Sequence, residues 1–327
     1  MVVRMIRINL DNKKEKIEEI FWKWFKKCCL DEFCSILEND VELQKIIFKT
    51  SSKYYSWKEK NTQNFEKDYS ILRRFFLSTP KEHIELSQKI FNIKKNTKNF
   101  FLRKYDSFRR MKASEIVEAL GVKTCPYCNK NFIDIYINKS GQKKLNGDMD
   151  HYLPKSKYPY LSICLYNLIP VCKSCNQEKG KNSSEKLHFH PYGDSGEFGY
   201  SFKTIFDEEN IDLNYIYGLS NNFKIELDCT GNEYMENSKE IFHLEDKYKN
   251  SKEQAKSIIR SAYIYNSRYI RDMLKDYFIN SNDESCVKLG CEEEIAKLIF
   301  DYEEEESINR PLGKLKYDLL KEFGVIK

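Results

Sequence analysis

The chain has 327 residues, 41% of them hydrophobic and 32% charged, with a net charge of +5. That balance excludes a disordered or collagen-like chain, and the length allows two or three domains, so metal is not needed merely to rescue a chain too small to fold. No stretch approaches the ~20 apolar residues of a membrane span, and the opening MVVRMIRINLDNKK lacks the apolar run of a secretion signal, so a cytoplasmic location and no membrane partner are expected.

Charge is unevenly spread. Residues 1–120 carry +9, residues 121–190 carry +6 and residues 191–327 carry −10. A basic front suits a polyanionic partner, which the acidic remainder would repel. Eleven cysteines in a reducing compartment indicate metal ligation rather than a disulfide framework. Cys28, Cys29, Cys34, Cys164, Cys229, Cys286 and Cys291 read as small hydrophobes or bystanders.

In chain order, Met5–Leu10 alternates as a short strand does. Ile17, Ile20, Phe21, Trp24, Phe25 and Cys28 then recur at helical steps. Further helices are expected over about 64–77, 80–93 and 100–120, with Ser114 and Glu115 opening the last and Gly121 capping it. Trp22, Trp24, Tyr54, Tyr55, Trp57, Phe75 and Phe76 are read as core rather than as a platform for stacking bases. Past Cys128, residues 132–137 suit a strand, Ser140-Gly141 a turn, and Leu145–His151 an antiparallel return. Residues 152–166 suit a loop, and 171–178 begin a helix. Residues 198–230 look β-rich, and from Ser238 the chain turns helical, with long elements near 251–279 and 291–305. The acidic run Glu303–Glu306 reads as a solvated helix end. The resulting expectation is an α+β chain: a helical region over 1–120, a metal-stapled core over 121–190, and a mixed β-then-helical region over 191–327.

The chemistry concentrates between two Cys-x-x-Cys pairs, Cys125/Cys128 and Cys172/Cys175, with 43 residues between them. Each pair sets two thiolates on one tight knuckle, and two knuckles complete a tetrahedral Zn²⁺ site. Inside the insert lie Asp150-His151 and Asn167, and Asn176 follows the second pair. Imidazole titrates near neutrality and can activate water, so His151 is the candidate base. Hydrolysis of a phosphodiester also needs a cation, and hard Mg²⁺ or Mn²⁺ prefers oxygen, so Asp150 and Asn176 are its candidate ligands. Asn167 is expected to order the loop through side-chain–backbone hydrogen bonds. Lys155, Lys173, Lys179 and Lys181 surround these residues and are candidate phosphate contacts; His188 and His190 are read as packing or solvent-exposed side chains rather than as part of the site. The chain contains no Gly-x-x-x-x-Gly-Lys-Ser/Thr loop, so any ATP dependence must come from another protein.

The order knuckle, Asp-His, Asn, knuckle-Asn over residues 125–181 resembles the HNH (His-Me finger) endonucleases, in their four-cysteine branch. The resemblance implies a ββα-metal unit with His151 as general base, Asp150 and Asn176 on a catalytic divalent ion, and Asn167 fixing the loop. The third position is often His in that superfamily and is Asn here, which leaves metal preference open. The run DMDHYLPKSKYPYLSICLYNLIPVCKSCNQEKGK, followed by His190-Pro191-Tyr192, also resembles the HNH subunits of Septu-type antiphage systems over roughly residues 120–250. That likeness implies an ABC/SMC-like ATPase partner. A metal-dependent nuclease acting on DNA is therefore the leading expectation. RNA cleavage, or a zinc-stabilised module that binds nucleic acid or a partner without cutting, are the alternatives.

Overall fold

The structure is a computed structural model that describes residues 7–63, 66–181, 186–193, 200–229, 231–266, 268–272, 292–302 and 309–326. The basic front is a helical layer: α1 Lys14–Cys28, α2 Leu30–Asn39, α3 Val41–Phe48, α4 Ser51–Gln63, α5 Ser70–Phe76, α6 Pro80–Ser87, α7 Lys95–Met111 and α8 Ala113–Leu120. The helical spacing in α1 buries Ile17, Phe21, Trp24 and Phe25 on one face. Phe33, Phe76, Phe100, Phe101 and Phe108 close the core around them. Asp40 caps α3 at Leu43 N and also accepts from Lys94 N and Thr97 Oγ1, which ties the start of α7 to α3. Thr79 and Glu82 form a capping box on α6, and Gly121, at φ 67°, ends α8 as expected.

Several sequence expectations change here. Arg7–Leu10 form no strand; Ile8 N instead donates to Pro191 O at 3.0 Å, and one bond is not a ladder. Residues 5 and 6 lie outside the described residues. The helix expected over 100–120 is two, divided at Lys112. Residues 30–63 hold three further helices. Of the aromatics assigned to core, Trp24, Tyr54, Phe75 and Phe76 are buried, but Tyr55 is 61% exposed.

The central region holds two hairpin-like pairs. β1 Asp134–Ile137 pairs antiparallel with β2 Lys143–Asn146, and β3 Asp148–His151 pairs antiparallel with β4 Leu168–Val171, which leads into α9 Lys173–Lys181. The single return strand expected over 145–151 is thus broken at Gly147. A Cβ there would sit 2.9 Å from Val171 O and 3.2 Å from Ile133 Cγ2. Only glycine lets the chain pass so close to β4 and change partners.

Residues 200–326 carry the antiparallel pair β5 Ser201–Phe206 and β6 Phe223–Asp228. They also carry helices α10 Glu233–Ile241, α11 Leu244–Lys249, α12 Lys252–Ile264, α13 Glu292–Phe300 and α14 Gly313–Glu322. The outward N–H groups of β5 are not left bare: Phe202 N donates to Asp318, and Thr204 N to Glu322. Those carboxylates are one turn apart on α14, so the helix covers the strand edge. The long helix expected over 251–279 is broken: it ends at Ile264, residues 268–272 are helical again, and residues 273–291 and 303–306 lie outside the described residues. Among the described residues no helix is long and apolar enough to cross a membrane.

Candidate metal centre and active site

The first knuckle is a tight turn in which Asn129 N donates to Cys125 O at 2.7 Å, with Asn129 in the left-handed region at φ 45°. The second is the start of α9, where Asn176 N donates to Cys172 O at 3.1 Å. Together they bring the buried Sγ atoms of Cys125, Cys128, Cys172 and Cys175 within 4.8 Å of one another. Four sulfurs at ~2.3 Å from a tetrahedral Zn²⁺ stand roughly 3.8 Å apart, and Cys128 Sγ and Cys172 Sγ are 4.0 Å apart. The donor set therefore fits a structural zinc. Lys247 Nζ lies 3.2 Å from Cys175 Sγ, and Asn131 Nδ2 lies 3.4 Å from Cys172 Sγ. Such donors offset the charge of a tetrathiolate. All the described cysteines outside the cluster are free thiols too, and burial pushes Cys29 up to about 12.

The rest of the site hangs on the short pair β3–β4. His151 closes β3 opposite Leu168 and is 8% exposed. Its Nε2 lies 3.0 Å from Ser162 O. A carbonyl can only accept, so Nε2 carries the proton and Nδ1 of the neutral ring does not. Burial pushes the imidazole down to about 4, with Lys155 and Lys179 pushing the same way and Asp150 opposing. Asn167, fully buried, fixes the loop that supplies Ser162: its Oδ1 accepts from Leu153 N at 2.8 Å, and its Nδ2 donates to Leu153 O and Leu161 O.

Alternate residues of β3 share a face, and so do residues three apart on α9. Asp148 and Asp150 therefore meet Asn176 and Lys179 in register. Asn176 Nδ2 donates to Asp148 Oδ2 at 3.0 Å. Lys179 Nζ donates to Asp150 Oδ2 at 2.5 Å, to His151 O at 2.6 Å and to Tyr152 O at 3.0 Å. Tyr127 OH adds a second bond to Asp150 Oδ2 at 2.8 Å. Lys179, expected on phosphate, is thus a correction: its ammonium is turned inward and spent on three acceptors, and its side chain is only 13% exposed. Asn176, expected beside Asp150, donates to Asp148, because the helical turn sets Lys179 over Asp150 instead. Both bonds to Asp150 go to Oδ2, which leaves Oδ1 as the oxygen a cation could use. A carboxylate and an amide are the donor chemistry that suits Mg²⁺ or Mn²⁺.

Sequence reasoning missed the contribution of α7. Tyr105 OH donates to Met149 O at 2.7 Å, and its ring packs on His151 with centroids 4.2 Å apart. One turn on, Arg109 forms an ion pair with Asp148. The i,i+4 spacing of Tyr105 and Arg109 was visible; that this face meets β3 was not. Lys155 is exposed and stands 4.6 Å over the Tyr105 ring, and Lys173 is exposed at the start of α9. The side chain of Lys181 lies outside the described residues. His188 and His190 are buried against Tyr152, with centroids 4.6 and 4.0 Å away, as packing residues.

Two known proteins share parts of this chain. It is 31% identical over 123 residues to "Protein ea31" of Escherichia phage lambda, covering 36% of this chain and 35% of that one. It is 46% identical over 39 residues to "Septu protein PtuB" of Bacillus thuringiensis, covering 12% of this chain and 15% of that one. The chain thus spans about a third or less of the relatives it matches. No protein-family model and no solved structure matches it.

Proposed function

We propose that this chain is a metal-dependent HNH-type endonuclease that hydrolyses phosphodiester bonds of nucleic acid, DNA in preference to RNA. The observation that carries the reading is a neutral, buried His151 whose tautomer is set by Ser162 O. It stands beside an anchored carboxylate, Asp150, which Tyr127 of the first cysteine knuckle also holds. A water attacks phosphorus, its proton passes to His151 Nδ1, and the bond to the leaving oxygen breaks. An imidazole held at about 4 is a weak base by itself. The phosphodiester anion arriving beside it favours the protonated form and raises it toward the working range. A divalent ion held by Asp150 and Asn176 would neutralise charge on the transition state and the leaving oxygen. Exposed Lys155 and Lys173 are the phosphate contacts, with Lys181 a further candidate from its place in the sequence; Asn167 keeps the loop, and so His151, in register.

The partial likeness to the Septu protein supports a place in an antiphage defence complex with an ABC/SMC-like ATPase. Plasmid cleavage in Mg²⁺ or Mn²⁺, run beside RNA, tests the activity. His151→Ala should lower the rate at least ~100-fold with zinc content unchanged. Cleavage at the wild-type rate by pure His151→Ala protein removes His151 from the mechanism. Co-purification with an ABC/SMC-like ATPase from the same organism tests the complex.

A further inference from the structure

We propose that Arg109 and Asp148 are a positioning pair for the Asn176 amide, which makes helix α7 of the N-terminal region part of the active site. The inference rests on the cation-assisted reading above. An asparagine amide has two nearly isosteric orientations, and only its oxygen can face a cation. Asp148 decides between them. Its Oδ2 can only accept, so the Asn176 NH₂ faces that carboxylate at 3.0 Å and Asn176 Oδ1 is held off it. A hydrogen bond to a charged acceptor is strong enough to favour one orientation by about tenfold or more.

Asp148 is itself held in place. Its side chain is 16% exposed, and Arg109 pairs with the other oxygen, Oδ1. Arg109 is kept in register by Tyr105, one turn earlier on α7, whose hydroxyl is bonded to Met149 O between the two aspartates. The chain of contacts therefore runs from α7 through β3 to α9. A lysine at 109 would preserve the charge but not the planar fork.

The test is a double-mutant cycle on Mn²⁺ affinity, read by electron paramagnetic resonance of free Mn²⁺ on zinc-loaded, full-length protein. Asp148→Asn permits both amide orientations, so the competent fraction falls to about half and Mn²⁺ binding should weaken about twofold, with zinc content unchanged. Arg109→Ala should weaken it by less, and Arg109→Lys should recover part of that loss. In an Asn176→Ala background, Asp148→Asn should have no further effect, because the group it orients is gone. An equal loss in both backgrounds would make Asp148 a direct cation ligand and overturn the positioning role. Unchanged affinity in Asp148→Asn would overturn it as well. Either result, with wild-type protein still binding Mn²⁺ and cleaving, leaves the nuclease reading intact. A wild-type protein that binds no Mn²⁺ overturns both.

Discussion

At the scale of single residues, the lysines around His151 divide by where their ammonium groups go. Lys179 is enclosed with Asp150, and burial pulls its pKa down while Asp150 opposes this. Lys155 is exposed above the Tyr105 ring. Lys179→Met leaves a buried carboxylate whose remaining partner is Tyr127, so a loss of about 3–5 kcal/mol in urea unfolding is expected. Lys155→Ala should leave stability within about 0.5 kcal/mol and flatten the salt dependence of nucleic-acid binding by about one phosphate contact. The opposite ranking of the two variants would reverse these roles. Asn167 is the other residue whose side chain is committed inward. Asn167→Ala strands Leu153 N and Leu153 O, while Leu161 O keeps its bond from Cys164 N, and should cost on the order of 3 kcal/mol. A loss below about 1 kcal/mol would mean that packing, not these bonds, orders the loop.

At the scale of elements, β3 is only four residues long, yet β4, α7 and α9 all converge on it. Its start depends on Gly147. Gly147→Ala pushes a Cβ against the Val171 backbone oxygen, and a destabilisation of about 1–3 kcal/mol is expected. The cysteine knuckles have an equally wide reach. Tyr248 OH donates to Cys128 O at 2.8 Å, and Leu312 N and Lys314 N donate to Asn129 O and Oδ1. Cys172→Ser should therefore release metal and also speed amide exchange in α11 and at the start of α14. Exchange confined to residues 125–181 would show that the C-terminal elements hold without the knuckle.

At the scale of the whole molecule, buried neutral histidines make stability depend on acid. Burial pushes His83 down to about 4, and holds His188 and His190 well below the usual imidazole range. His188 Nε2 and His190 Nε2 have no hydrogen-bond partner, and burial outweighs the backbone contacts that favour the protonated rings. The unfolded chain binds these protons near pH 6.5 and the folded one does not until lower pH. Stability is therefore complete above about pH 6.5 and falls as pH drops toward 4, by up to about 3 kcal/mol from His83 alone. Thermal scans at pH 7.5, 6 and 5 should show the decline, and His83→Gln should flatten it. A melting temperature flat from pH 7.5 to 5 would contradict the burial of these rings.

The sequence by itself determined what is local. The Cys-x-x-Cys spacing set two knuckles, the 3.6-residue period set the buried face of α1, and Gly121 ended α8, because each depends on neighbours a few residues away. It also placed Asn167 correctly as a loop-ordering side chain. Tertiary structure decided which groups meet. Nothing near Lys179 distinguishes it from Lys173, yet the turn of α9 against β3 buries one on Asp150 and leaves the other in water. Nothing near Arg109 announces Asp148, thirty-nine residues on. Such pairings are set by the packing of whole elements, and a periodicity can name the face of a helix without naming what that face will touch.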